Sequence, residues 1–281
     1  MSLKVSAAQR SAAFPGGLPN EDRTAFKTTP RGFYAWVIDG AAAPDPTLRV
    51  PDGRLAGAWL ADQLSDALWA VSDGGGDLRA ILRGAVERVG PAWRALGLDW
   101  PDWAQPVAAV SVLSLRSEEG GLRADGLSLG DCPVGVLRAG GEAEALHAWN
   151  EPLDGEARLG AGRESEAAMV EALKTQRLRE RTARPFRRLT LDPDCAADAV
   201  SYSAQLSPGD RLIAASDGTA RAWKEYGIES ADDAARRLGT AAGFEVLVGE
   251  MRPFERERYA KREDRLVKVG DDASVVIIAL D

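Results

Sequence analysis

Four short acidic motifs hold the residues best suited to chemistry: Asn20-Glu21-Asp22, Val37-Ile38-Asp39-Gly40, Ala215-Ser216-Asp217-Gly218 and Gly270-Asp271-Asp272-Ala273. Three of them adjoin apolar, strand-like runs at 33–38, 211–215 and 274–280. An aspartate at the end of a buried strand is costly unless a cation or a set of donors compensates its charge. Several such aspartates brought together repel one another, and a hard divalent ion such as Mg2+ or Mn2+ is the usual remedy. The set therefore points to a carboxylate-lined metal site. Taken one at a time, the same motifs read equally well as turns or helix caps.

The elements that must position these acids follow from hydrophobic period. Val5–Phe14 reads as an edge strand, followed by a turn at 15–19, and Gly32–Ile38 as a buried strand stopped by Asp39-Gly40. Leu55, Trp59, Leu60, Leu64 and Leu68 recur at helical spacing between Gly53 and Val71. A second helix is expected from Asp77 to Leu96, with Trp93, Trp100 and Trp103 stapling its end. The period then changes. Val107–Leu115, Gly121–Leu129 and Pro133–Leu137 read as consecutive antiparallel strands, with turns at 118–121 and at Gly130-Asp131.

Further on, a polar helix spans 164–181 and runs into six arginines at 177, 179, 181, 184, 187 and 188. That run reads as a solvated face, or else as a flap for a phosphorylated or acidic substrate. Gly209–Ala215 is a strand, 219–225 and 230–240 are short helices, with Ser230 as N-cap. Phe244–Tyr259 is a longer helix, Lys261–Arg265 a connector, and Ser274–Leu280 a closing buried strand. Helices followed by strands, then both mixed, indicate α+β organisation.

Composition narrows the function. The 281 residues are 45% hydrophobic and carry a net charge of -8, enough chain for a substantial core. An acidic pI near 5.0 argues against nucleic acid as a partner. With no apolar run of about 18 residues and no signal-peptide core at the N-terminus, neither a membrane span nor export is expected. Cys132 and Cys195 give no disulfide framework, so a reducing cytoplasm is the expected location. The lone histidine, His147, excludes His-rich zinc sites and is expected in a partly exposed loop. Cys132 is expected to be a buried structural cysteine.

With these residues in view, the whole chain resembles the metal-dependent serine/threonine protein phosphatases of the type 2C class, the PPM family, in a divergent bacterial form. The resemblance rests on Glu21-Asp22, Asp39-Gly40, Gly130-Asp131, Ser216-Asp217-Gly218 and Asp271-Asp272-Ala273-Ser274, in that order. It implies one phosphatase-like domain over 1–281: a four-layer αββα sandwich, two central antiparallel sheets flanked by helices. It also implies two Mn2+ or Mg2+ ions, with a third, weaker one. Asp39 is the implied bridging carboxylate, with the Gly40 carbonyl as an added ligand. Asp217 and Asp271 are the implied direct ligands, Asp22 a ligand through water, and Asp131 with Asp217 the holders of the third ion. Glu21 and Asp272 are expected beside the ligands rather than on the metal.

The implied activity is hydrolysis of phosphoserine and phosphothreonine esters by a metal-activated hydroxide, with Asp39, Asp217 and Asp271 as its catalytic acids. The substrate is a phosphoprotein, paired with a bacterial serine/threonine kinase. Three positions depart from the family. Ala41 stands where many members have a histidine, Gly17 where a phosphate-binding arginine is usual, and Arg221, four residues after Asp217, where a further acid is frequent. Arg221, Arg23 or Arg184 are the candidates to replace that arginine. These departures motivate two alternatives: a pseudophosphatase acting as a binding or regulatory module, and a phosphohydrolase of small molecules.

Overall fold

A computed structural model describes residues 4–14, 19–45, 47–74, 76–118, 121–151, 166–261 and 270–281. The expected turns at 15–18 and 119–120, the expected helix start at 164–165 and the expected connector at 262–265 lie outside the described residues, as does position 17.

Strand β3 (Gly32–Ala41) explains the architecture. Its side chains alternate between two dry faces: Tyr34, Trp36 and Ile38 join one cluster, and Phe33, Ala35 and Val37 another. A strand buried on both sides must be covered by a layer on each, which accounts for its unbroken apolar run. The first face meets helices α1 (Ala56–Val71) and α2 (Leu78–Ala95) through Trp59, Leu60, Leu64, Leu82 and Val86. The second face meets another sheet.

Two five-stranded antiparallel sheets result. One has the order β2 (Asp22–Thr29), β3, β4 (Val107–Glu118), β5 (Gly121–Leu129), β8 (Val200–Leu206). The other runs β1 (Val5–Ala12), β10 (Ala273–Leu280), β9 (Arg211–Ala215), β6 (Val134–Leu137), β7 (Ala143–His147). Val134, Val136, Leu212, Ala214, Val276 and Ile278 face β3 and β4 across the interior. The outer face of the second sheet, with Ile213, Val275 and Ile277, is covered by α4 (Asp217–Lys224), α5 (Ala231–Leu238) and α6 (Ala241–Lys261). The expected αββα layering is therefore present. A further helix, α3 (Glu166–Thr182), carries the start of the arginine run.

Several local expectations are corrected. Asp39 and Gly40 do not end the strand but lie within it, opposite Ala109 and Ala108 of β4. The Gly130-Asp131 turn is not a hairpin: β5 pairs with β8, whereas β6 pairs with β7 and β9, so the chain changes sheets there. His147 is in β7 rather than a loop. Its ring stacks on Tyr202 at 5.6 Å and its Nε2 lies 2.9 Å from the Gly130 carbonyl. Of the three tryptophans, Trp93 and Trp100 meet edge-on at 5.6 Å, while Trp103 sits under the Lys174 ammonium. Ser230 does cap α5, its hydroxyl accepting from the Asp233 amide at 3.2 Å. Cys132 and Cys195 are buried free thiols. Among the described residues, no helix is long and apolar enough to cross a membrane.

Candidate metal centre

The register of β2 on β3 sets Asp22 directly across from Asp39. Like charges at opposed positions of antiparallel strands destabilise the pair, so this register needs a compensating reason. Asp217 opens α4 immediately after β9, at the helix end where the dipole favours negative charge. Asp271 and Asp272 precede β10, the neighbour of β9. Both sheets thus deliver aspartates to one place.

Two glycines make the close approach feasible. A Cβ at Gly40 would come within 2.4 Å of the Gly57 carbonyl oxygen, and one at Gly218 within 1.8 Å of the Asp272 carbonyl oxygen. The Asp-Gly pairs are therefore steric requirements of the site. Ser216 and Ser274 lock β9 to β10: the Ser216 amide donates to the Ser274 carbonyl, and the Ser274 amide to the Ser216 hydroxyl, both at 3.0 Å.

The electrostatics identify a deficit of positive charge. Burial and the neighbouring Asp272 and Asp271 hold Asp22 well above the ordinary carboxylate range, against hydrogen bonds from Ser216 and Ser274. Burial, Asp217 and Asp22 do the same to Asp39. Burial, with Asp131 and Asp271, also raises Asp217. Asp39 and Asp217 thus lie close enough to disfavour each other's charge, both being held above the ordinary carboxylate range chiefly by burial. One buried oxygen of Asp22, Oδ2, has no hydrogen-bond partner.

Among the described residues, no group of three or more His, Cys, Asp or Glu side chains stands arranged to hold a metal ion. The donor chemistry and the orphaned Asp22 oxygen nevertheless fit a hard divalent cation.

The remaining acids are already partnered. Asp272 is a tie across the chain: its carboxylate accepts from the amides of Phe14 at 2.9 Å and Glu21 at 2.7 Å. Glu21 is buried, and its carbonyl accepts from the Gly40 amide at 3.1 Å. Asp271 lies 3.4 Å from the buried Arg221 guanidinium, which also reaches Glu225 at 3.4 Å. Asp131 is clasped by Arg188 through bonds of 2.6 and 3.0 Å. Burial works against the charge on Arg188, but Asp131, Glu180, Asp217 and Asp39 outweigh it and keep it cationic. A guanidinium thus stands where the resemblance implies the third ion.

The three candidate phosphate arginines separate. Arg23 lines a hollow with Asp22 and Arg10, its guanidinium bonded to Asp62 and to the Asn20 and Asp22 carbonyls. Arg221 is buried beside Asp271. Arg184 is exposed, paired with Asp192 at 2.9 Å and stacked on Phe186. Two further cations lie near the acids: Arg188, which the sequence shows only as a member of the arginine run, and Lys224, which sequence reasoning missed. The Lys224 ammonium donates to the Ala148 carbonyl, and burial lowers its pKa against the pull of Asp131 and Asp217. No local sequence signal places either beside the acids.

Solved structures decide the fold. PppA, described as a key regulatory component of the T6SS in Pseudomonas aeruginosa, aligns over 99% of this chain and 98% of its own, at TM-score 0.59 and 16% identity. The catalytic domain of the serine/threonine protein phosphatase PstP, in complex with two manganese ions, aligns over 99% of both chains at TM-score 0.55 and 16% identity. The chain has the type 2C phosphatase fold. The PPM Ser-Thr phosphatase MsPP from Mycobacterium smegmatis, bound to cacodylate, shares this fold over 98% of both chains at TM-score 0.53 and 18% identity. No family model and no curated protein matches the sequence. In this chain the two sheets and flanking helices of the type 2C fold carry arginines on Asp131 and Asp271.

Proposed function

We propose that this chain, over 1–281, is one type 2C phosphatase domain that hydrolyses phosphoserine and phosphothreonine esters with two Mn2+ or Mg2+ ions. The observation that carries this reading is the convergence of Asp22, Asp39 and Asp217, mutually repelling and short of positive charge. Those three would hold the ions, with Asp271 and the Gly40 carbonyl as further donors. Bound there, the ions supply activation of water and neutralisation of charge on the phosphoryl oxygens.

The protein's own residues have defined tasks. Asp39, delivered by β3, and Asp217, at the start of α4, would offer their carboxylates to the cations. Arg221 holds Asp271 in place through their 3.4 Å contact. Arg23, beside Asp22 in an open hollow, is the arginine best situated to meet a substrate phosphate. Arg188 supplies at Asp131 the charge of a third ion. The substrate would be a phosphoprotein, opposed by a bacterial serine/threonine kinase in the cytoplasm.

A second reading has its own observation. Guanidinium groups already neutralise Asp131 and Asp271, and Ala41 replaces the usual histidine, as suits a binding module that has kept the fold. Phosphothreonine-peptide and small-ester hydrolysis, with Mn2+ and with chelator, separates the readings. Peptide turnover that requires Mn2+ supports the proposal, and preference for small esters supports a small-molecule phosphohydrolase. Absence of turnover, with Mn2+ binding retained in calorimetry, supports the binding module.

A further inference from the structure

The six arginines between 177 and 188 do not form a uniformly solvated face. Arg177 is buried, bonded to Glu180 at 3.2 Å and to the Ala42 carbonyl at 3.3 Å. Arg181 is bonded to Asp102 and Gln105, Arg184 to Asp192, and Arg188 to Asp131. Arg179 and Arg187 are exposed and have no ion-pair partner among the described residues. Both lie on the wall of one hollow of about 440 Å3, together with Arg184, Arg188, Glu180 and Gln176. Glu180, the acid in this wall, is already engaged by Arg177 and Gln176.

In a chain of net charge -8, unpaired guanidinium groups facing a shared concavity call for an anionic occupant. Guanidinium presents a planar fork of donors that matches a carboxylate, and such pairs are strong and directional. The hollow is also joined to the aspartate cluster. Arg188 belongs to its wall and holds Asp131 through bonds of 2.6 and 3.0 Å.

We propose that this hollow is a subsite for an acidic side chain of the phosphoprotein substrate, beside the phosphoester taken at the aspartate cluster, with Arg179 and Arg187 as its specificity-determining residues. The proposal rests on the phosphoester-hydrolase reading given above. It selects acidic phosphoproteins over neutral ones, and it makes Arg188 the link between recognition and the reacting site.

The test uses two fluorescein-labelled phosphothreonine peptides that differ only in carrying glutamate or glutamine on either side of the phosphorylated residue. Their binding to the full chain is followed by fluorescence anisotropy in chelator, where no turnover occurs. The wild type is expected to bind the glutamate peptide about tenfold more tightly, and that preference is expected to shrink in high salt. In the double variant Arg179→Gln/Arg187→Gln the preference is expected to drop below about twofold. Thermal melting checks that the variant is folded. Equal affinity for the two peptides in the wild type, no measurable binding of the glutamate peptide, or an undiminished preference in the variant would overturn the subsite. Failure of the hydrolase reading is recognised separately, as absence of Mn2+-dependent turnover of p-nitrophenyl phosphate by the wild type.

Discussion

Arg188 and Asp131 meet through two hydrogen bonds of 2.6 and 3.0 Å although they lie 57 positions apart in the chain. Both side chains are largely buried, at 11% and 7% exposure. Removing one member of such a pair leaves a buried charge without its partner, at a cost of about 3–5 kcal/mol. Arg188→Met is therefore expected to lower unfolding stability by that order in chelated buffer. The double variant Arg188→Met/Asp131→Asn is expected to recover much of the loss. Urea unfolding of the single and double variants checks this, and a loss below about 1 kcal/mol in the single variant would mean that the pair is not structural.

Asp39→Asn is expected to act in the opposite direction. It removes one of two acids set across from each other by the β2–β3 register, and relief of like-charge repulsion amounts to up to about 1 kcal/mol. In chelated buffer the variant should melt at or above the wild-type temperature. A decrease equivalent to more than about 1 kcal/mol would indicate that Asp39 is structural.

How much of this site could be read in the sequence depends on where each residue sits. β3, β4, β5, β6, β9 and β10 were legible, since central strands are dry on both faces and read as apolar runs. The strands that escaped notice, β2, β7 and β8, are all at sheet edges. The β2 sequence Asp-Arg-Thr-Ala-Phe-Lys-Thr-Thr is mostly half-buried and alternates without an apolar face. His147, at the end of the edge strand β7, likewise lacks an apolar run that would mark it as strand. The aspartates were legible because an acid beside an apolar run is unusual. The arginines stand out in the sequence as a run and as a candidate at 221, but their pairing with Asp131 and Asp271 is set by the fold, across 57 and 50 positions.

Gly218 offers a steric test. An added Cβ would lie 1.8 Å from the Asp272 carbonyl oxygen, which is backbone and cannot turn aside. Gly218→Ala should cost at least about 1–3 kcal/mol and displace Asp217 relative to Asp271. Thermal melting with and without Mn2+ reads both effects, the second as a diminished Mn2+-induced shift. An unchanged melting temperature would show that α4 is not tightly held against residue 272.

The pH dependence of stability has one well-placed contributor in Asp210. Burial favours its neutral form, but amides of Ser207 and Ala139 and the Arg138 guanidinium outweigh burial and hold its pKa below the ordinary value. A depressed folded-state pKa contributes stability that is present above the unfolded value, near 4, and is lost as pH falls through the folded value. Asp210→Asn should therefore destabilise the protein at pH 7 by about 1.5–3 kcal/mol and flatten the acid limb of its stability curve. Denaturant unfolding from pH 7 to pH 3 measures both, and an acid limb as steep as that of the wild type would assign the loss to other carboxylates.

The central claim is that the aspartate cluster works as a metal-dependent phosphoesterase. Its most direct measurement is the initial rate of p-nitrophenyl phosphate hydrolysis in millimolar Mn2+, compared with a chelated control and with Asp39→Asn. Turnover is expected to vanish on chelation and to fall by at least about a hundredfold in the variant, the scale of losing a key electrostatic group. A rate indifferent to chelator, or an Asp39→Asn rate equal to that of the wild type, would contradict it.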